Sequence, residues 1–479
     1  KPLTIEPFKN VEFFKNRKAF TLIKDFNFNL YPTQYAFQTQ INRTYNSRQV
    51  RNNTSFFEFD PFYQKTFTWN RIYSFRYNLT KSLILDFNAN NMAQIGEPEG
   101  RVDNKYKDEY SRFKEEVWNN VQRFGDNTQY GQNLNLTYTL PFSKIPYLEW
   151  ISANATYAGN FNWALNGDID ADSLGATIKN SGNYALNTNL NMTTLYNKFD
   201  YLRELSRPQK KKKDIGRLTL ADKTYRKKVE AGEVEDTTKE DEPSFFRVHI
   251  IDNMGRLAMS LKTVSGSYSV TEGTVLPNYN RGMNVLGFDG NFNAPGVGFA
   301  FGMQEPGTDY FDRAMREGWT LQGTESLFIS GNFSKTYSEN LNLRASFQPI
   351  KDLRIELTAN KTYSENTSKY YIWNDTLTGG PGYDFGPTQI NGSMSLSFIS
   401  WKTAFINDDE DTYQNDAFDE FLANRSIISQ RLGEENVYST FVYTDSLGGI
   451  YSDGYSGTSQ EVLIKSFLAA YSGDNPNSS

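Results

Sequence analysis

The residues best suited to chemistry are few, and their spacing speaks against most of it. His249 is the one imidazole in 479 residues, and there is no cysteine. A Ser-His-Asp triad would have that single base available. It lies in "FFRVHIID", which reads as a strand, so a structural histidine is the better reading. Zinc sites of the usual kinds need more His and Cys than the chain has. Asp168, Asp170 and Asp172 of "DIDAD" imitate the opening of a calcium loop. The sixth position is Ser173 instead of Gly and the twelfth is Lys179 instead of Glu, which rejects an EF-hand. The acidic run Asp408–Asp411 reads as a solvated loop. Gly-rich 286–302 lacks Gly-Lys-Ser/Thr and a strand-to-helix setting, so it is no phosphate loop. These residues describe no enzyme, and they call for no cofactor and no metal.

The elements that carry the chain are more telling. Tyr (30) and Phe (36) are abundant and aromatics make up 15% of residues, yet mean hydropathy is −0.64. Such a combination fits strands that alternate apolar and polar side chains, so that the mean conceals one strongly apolar face. No run of about 18 apolar residues would form a membrane helix. The first residues carry no signal-peptide core, which suggests a mature or internal piece. A net charge of −6 gives no hint of nucleic-acid binding.

Period-two alternation predicts strands over 20–30, 35–45, 67–79, 83–89, 134–140, 151–165, 184–192, 257–270, 327–337, 341–347, 353–363 and 394–398. A parity flip near Thr263 predicts a bulge. "KTYSEN" occurs at 335–340 and again at 361–366. Two strands of about ten residues with short turns make about 26, so the repeat reads as a polar turn recurring at one rim. Lys335, Tyr337, Lys361 and Tyr363 then sit on the apolar face where strands leave a membrane. Tyr337, Tyr363, Trp69 and Tyr77 become girdle residues, with the lysines snorkelling to water. Arg344, Arg354, Glu356, Asn360, Arg76 and Asp86 fall on the opposite face, which reads as a water-filled lumen. Keeping both apolar sets outward requires an even sum for paired positions, placing 344 opposite 356 or 358.

Excursions interrupt the strands. An amphipathic helix near 104–124 has Asp103 as a candidate N-cap and Gly125 as its stop. Barrel strands thus fill 1–202, and a charged insertion, basic then acidic, occupies 203–243 as a flexible, solvated excursion. Strands resume over 244–400 around a Gly/Asn-rich loop within 271–326, which suits a fold into the lumen or a cap on the rim. Residues 401–479 read as a loop with amphipathic helices. Counting strands from Thr80–Ser82 puts 203–243 on the periplasmic side and "PIKD" (349–352) outside, although short turns ordinarily face the periplasm.

Long segments carry a more specific likeness. "FNFNLYPTQYAFQTQINRTYNSRQVR" (26–51), "FTWNRIYSFRYNLTKSL" (67–83), "VWNNVQRFGDNTQYGQNLNLTYTLPFSKIPYLEW" (117–150), "GTVLPNY…NAPGVGFAFG" (273–302) and "PIKDLRIELTANKTYSEN" (349–366) resemble the SprA/Sov family. These are giant outer-membrane proteins of Bacteroidota that act as the translocon of type 9 secretion and are tied to gliding motility. The resemblance spans nearly the whole chain except 203–243. It implies an all-β fold, part of a very large antiparallel transmembrane barrel that conducts folded cargo bearing a C-terminal sorting domain. It also implies a PorV-like barrel over a lateral opening, a plug protein at the periplasmic end, and a surrounding lipid bilayer. Tyr279, Phe288, Phe292, Phe299 and Phe301 become candidates for contact with a gate or plug. The chain would supply about a dozen strands, the remaining wall coming from residues outside it. A TonB-dependent nutrient transporter and a surface adhesin or glycan-binding β-protein are the competing readings.

Overall fold

Alternating side chains place one set of residues on each face of a pleated strand, and here they build one broad sheet. The computed structural model describes residues 3–15, 20–50, 59–167, 175–206, 252–305, 310–323, 329–350, 352–377, 380–397, 415–436, 438–446, 448–473 and 475–477. The charged insertion beyond 206, "DIDAD", His249 and the acidic run at 408–411 lie outside those residues. The chain divides into two units, Lys1–Leu396 and Ser397–Ser479.

In the first unit, β1 (Thr4–Ile5) pairs with β2 (Phe28–Asn29). The predicted strand over 20–30 is instead a helical turn, Thr21–Lys24, followed by that short β2. Ten strands then run as an antiparallel meander: β3 (Gln34–Arg48), β4 (Phe62–Asn78), β5 (Leu83–Gln94), β6 (Asp126–Leu140), β7 (Ile151–Leu165), β8 (Ala176–Asn191), β9 (Leu261–Tyr279), β10 (Ser330–Ile350), β11 (Leu353–Asn374) and β12 (Gly382–Leu396). The fold is all-β, as the alternation predicts. Neither β3 nor β12 has a second strand neighbour among the described residues, so this stretch forms an open sheet.

The "KTYSEN" repeat is not a turn. β10 and β11 run 21 and 22 residues straight through both copies. Ser338 faces Ser364, Tyr337 faces Glu365 and Glu339 faces Tyr363, so the copies lie antiparallel against each other as mirror partners. The hairpin closes at Ile350 opposite Leu353. Its spacing of 26 measures the distance across one hairpin, from mid-strand to mid-strand.

That correction also settles the strand count. The connections 79–82, 141–150, 192–260 and 351–352 fall at one end of the sheet, the lower end. Those at 95–125, 166–175, 280–329 and 375–381 fall at the other, upper end. "PIKD" therefore lies at the same end of the sheet as the Thr80–Ser82 turn. That turn is pinned by Thr80, whose Oγ1 accepts from the amides of Ser82 (3.0 Å) and Leu83 (2.9 Å). The predicted bulge is present: Ser346 faces Thr263 and Phe347 faces Leu261, leaving Lys262 unmatched.

The core lies at the upper end, between the sheet and the 280–323 segment. Phe161, Trp163, Ile178, Leu276, Phe333 and Tyr371 from the sheet meet Phe299, Tyr310, Phe311 and Trp319 from the segment, all buried. Burying each of the larger side chains contributes about 1.5–3 kcal/mol. The segment is tied off by antiparallel hydrogen bonds between its ends, Asn280 N to Trp319 O and Leu321 N to Asn278 O, both 2.8 Å.

The second unit has its own small core of Ile428, Leu432, Val462 and Ala469. Helices Asp416–Glu435 and Gln460–Ser472 pack there beside the hairpin of β13 (Val442–Thr444) and β14 (Ile450–Ser452). Asn415 caps the first helix, its side chain accepting from Phe418 N at 3.1 Å. The region read as a loop with helices is therefore a packed α+β unit over its described residues.

Candidate functional site

Register decides which side chains share a face. One row crosses the sheet through Tyr363, Glu339, Val270, Tyr184, Tyr157, Leu136, Leu85 and Tyr77. Below it on the same face stand Ile355, Leu357 and Ala359 on β11, Leu341, Leu343, Ala345 and Phe347 on β10, and Val264 and Tyr268 on β9. Leu186 and Leu190 on β8, Ala155 and Ile151 on β7, and Tyr138 and Leu140 on β6 continue the series. Leu343, Ile355, Leu357, Leu186, Tyr268, Tyr184 and Tyr138 are all exposed. A contiguous apolar band that no described residue covers departs from ordinary water-facing surfaces.

Above the row the same face changes character strand by strand. β11 continues with Glu365, Thr367 and Lys369, β10 with Tyr337 and Lys335, and β9 with Glu272 and Thr274. β8 gives Gly182 and Asn180, β7 gives Gly159, and β6 passes Leu134 to reach Gln132. From Ile355 to Tyr363 the apolar run on β11 is about nine residues, within the roughly 9–11 a tilted strand needs to cross a hydrocarbon core. Lys361 is the single charge inside that run, and its Nζ reaches up to Glu339 Oε1 at 3.2 Å.

The opposite face is mainly polar, with Ile72, Ile84, Met92, Val275 and Tyr370 among its apolar members. Asn183 donates to Thr271 (2.6 Å), Asn342 to Ser267 (3.4 Å), and Ser364 and Ser393 share a hydrogen bond (2.7 Å). Arg76 faces Asp86, with Nε 3.5 Å from Oδ1. Arg344 faces Thr358, one of the two positions its parity allows, and donates diagonally to Glu356. Arg354 Nη2 meets the other oxygen of Glu356 at 2.8 Å, and Asn360 faces Asn342. All six residues predicted to line a lumen therefore share one face. Their ion pairs are solvated, Arg344 and Glu356 being 60% and 34% exposed. A double-mutant cycle with Arg344→Ala and Glu356→Ala is expected to give a coupling below about 1 kcal/mol that shrinks in salt. A larger, salt-insensitive value in urea unfolding would mean the face is dry.

The residues predicted as a girdle separate. Tyr337 and Tyr363 sit on adjacent strands with ring centroids 6.0 Å apart, edge to face, at mid-strand instead of at a strand's exit. Tyr77 shares Tyr363's row and donates to Asn29 O at 2.7 Å. Trp69 lies eight residues up its strand and is covered: Phe124 stacks on it at 5.6 Å, and its Nε1 donates to Thr39 Oγ1. Phe124 does so from the end of helix Lys107–Gln122. There Gly125 N bonds to Asn120 O and Phe124 N to Val121 O, with Phe124 itself left-handed (φ 67°). Asp103 does not cap this helix; it accepts from Lys105 N in the preceding turn.

The aromatics predicted as candidates for gate or plug contact lie in or beside the 280–323 segment. The 280–323 segment lies on the sheet face that carries the apolar band, not on the polar face or over a rim. Gln132 donates to Ala300 O (2.6 Å), Tyr157 to Phe301 O (2.6 Å) and Trp163 to Arg281 O (3.1 Å). Tyr279, Phe288 and Phe299 are buried in that contact, Phe301 is half-buried, and Phe292 is exposed. Phe299 stacks on Tyr310 at 4.0 Å, and Tyr310 donates to Pro295 O at 2.9 Å. Burial pushes the Tyr310 phenol well above its ordinary range, so it stays a neutral donor.

Two glycines make this seat, and reading the sequence alone passes over both. Gly159 and Gly182 face each other across β7 and β8. A Cβ on Gly159 would overlap the Phe301 carbonyl, and one on Gly182 the Gly302 carbonyl. Their signal is present in the sequence: two glycines interrupt strands whose same-face neighbours are large, which marks a close backbone approach. Among the described residues, no cluster of His, Cys, Asp and Glu is arranged to hold a metal, and no helix is long and apolar enough to cross a membrane. No known family profile matches the chain, and no curated protein matches it.

Proposed function

We propose that the sheet is a section of wall from a large outer-membrane β-barrel, and that this barrel passes folded proteins to the cell surface in type 9 secretion. The observation that carries the membrane part is the row at which, on β6 to β11, one face turns from mainly aliphatic to polar while the other face is mainly polar. Hydrocarbon tolerates a backbone only when its polar groups are paired, which a multi-strand ladder provides everywhere but at its two open edges. The two shortest connections, 79–82 and 351–352, favour the lower end as the periplasmic one, against the length of 192–260.

The translocon part rests on the resemblance to the SprA/Sov family. Its physical support is the polar face, where Asn, Ser and Thr dominate and Arg76–Asp86 and Arg344–Glu356 stand as opposed pairs. Such a surface is hydrated and offers no large apolar patch to hold a passing protein. Cargo with a C-terminal sorting domain, a PorV-like barrel at a lateral opening and a plug protein are the partners this reading assigns. Transport would draw on an external energy source.

A photocrosslinker at Asn342, on the polar face, is expected to trap cargo when secretion is arrested, whereas one at Leu343 is expected to trap none. Absence of cargo at Asn342 under arrest would remove the translocon reading. Solubility of the protein without detergent would remove the membrane reading with it.

A further inference from the structure

The 280–323 segment buries its aromatics against the sheet yet turns a second apolar set outward. Val285, Leu286, Phe292, Val297 and Met303 are between 42% and 65% exposed. Leu286 (φ 53°) and Phe292 (φ 58°) hold left-handed backbone, a conformation that residues with a Cβ ordinarily avoid. Hydrogen bonds keep them there: Asn284 N to Phe288 O across the first, and Asp289 Oδ1 accepting from Asn293 N (2.9 Å) around the second. The fold thus fixes bulky apolar side chains toward solvent at positions where Gly or Asn would fit without strain.

Their neighbours and their height suggest what they meet. Asn280, Arg281, Asn284, Asn291 and Asn293 are exposed between them, giving the mixed apolar and amide or cationic surface that suits a lipid headgroup layer. Through Phe301 and Gly302 the segment rests on Gly159 and Gly182, the positions next above Tyr157 and Tyr184, where the apolar band ends. Met303 comes next at that edge. The exposed set thus belongs to a segment that is seated, through 301–303, at the upper edge of the band on the same face.

We infer that this segment is an interfacial foot: its outward apolar residues rest in the headgroup and upper acyl layer of the leaflet beside the band, so the occupant of this surface is lipid. The inference rests on the membrane reading of the sheet, and its test separates the two. The chain has no cysteine, so single-cysteine labelling has no background from it. Bimane would be placed at Phe292→Cys, Val297→Cys, Leu343→Cys and Asn342→Cys of the intact protein in phosphatidylcholine vesicles. Lipid brominated along the acyl chain and aqueous iodide would serve as quenchers. Leu343→Cys is expected to be quenched by brominated lipid alone and Asn342→Cys by iodide alone. Phe292→Cys and Val297→Cys are expected to lose about half their emission to lipid brominated near the headgroup, and little to iodide. Iodide quenching of both, with Leu343→Cys still quenched by lipid, would overturn the foot and leave the membrane wall standing. Iodide quenching at Leu343→Cys as well would overturn the wall itself. Retention of lipid quenching by a Gly282→Cys label, at an open glycine of the same segment, guards against a fold lost by substitution at Phe292 or Val297.

Discussion

Gly159→Val is expected to unseat the 280–323 segment while leaving the ten-stranded sheet in place. The new side chain would occupy the space of the Phe301 carbonyl, and both sides of that contact are backbone, so neither can rotate away. Overpacking of this kind ordinarily costs about 1–3 kcal/mol, and a clash between two main chains belongs at or above the top of that range. The hydrogen bond from Tyr157 to Phe301 O and the packing of Phe299 against Phe161 would go with it. Limited proteolysis should cut the variant inside the segment under conditions where the parent is protected. Gly182→Val should behave alike, because its Cβ meets the Gly302 carbonyl. Gly282→Ala, with nothing within 4 Å of the added carbon, serves as the near-neutral reference. Cleavage of Gly159→Val no faster than Gly282→Ala would show that the seat is not where the segment is held.

Leu343→Arg and Asn342→Arg place the same charge one residue apart on opposite faces. If the band meets hydrocarbon, the first should cost about 2–4 kcal/mol in urea unfolding from lipid vesicles, and the second should stay within about 0.5 kcal/mol. A water-facing sheet would give another outcome. Leu343 is 43% exposed, so exchanging it for arginine in water removes little packing and would be close to neutral. Equal effects from the two substitutions would therefore argue directly against lipid at that face.

Much of the sheet is legible in the sequence because period-two alternation is a local signal. It correctly assigns Arg344, Arg354, Glu356, Asn360, Arg76 and Asp86 to one face, and the parity flip near Thr263 marks a real bulge. Strand length is not legible from the same signal. "SEN" carries turn-forming residues, and the alternation cannot say that Ser338 and Ser364 prefer each other to solvent. Their pairing is fixed from afar by the tight closure at Ile350 and Leu353. The 280–323 segment escapes a sequence-only placement for a related reason. Its Gly and Asn content is that of any irregular loop, whereas its position is determined by Gly159 and Gly182, which lie far earlier in the chain than the Phe301 and Gly302 carbonyls they seat. Trp69 reads as a girdle residue on type and parity alone, which take no account of Phe124 arriving from another excursion.

If the band meets hydrocarbon, the row through Tyr363 and Glu339 would set the depth at which the sheet rides. A downward step of two residues would carry Glu339, Glu272 and Glu365 toward hydrocarbon, and an upward step would lift the aliphatic rows of β6 to β11 into water. Both displacements are opposed on several strands at once, by charge in one direction and by bare apolar surface in the other. On the membrane reading the sheet would therefore carry its own waterline. Membranes of different thickness should thin or swell to meet it before the wall changes its draught.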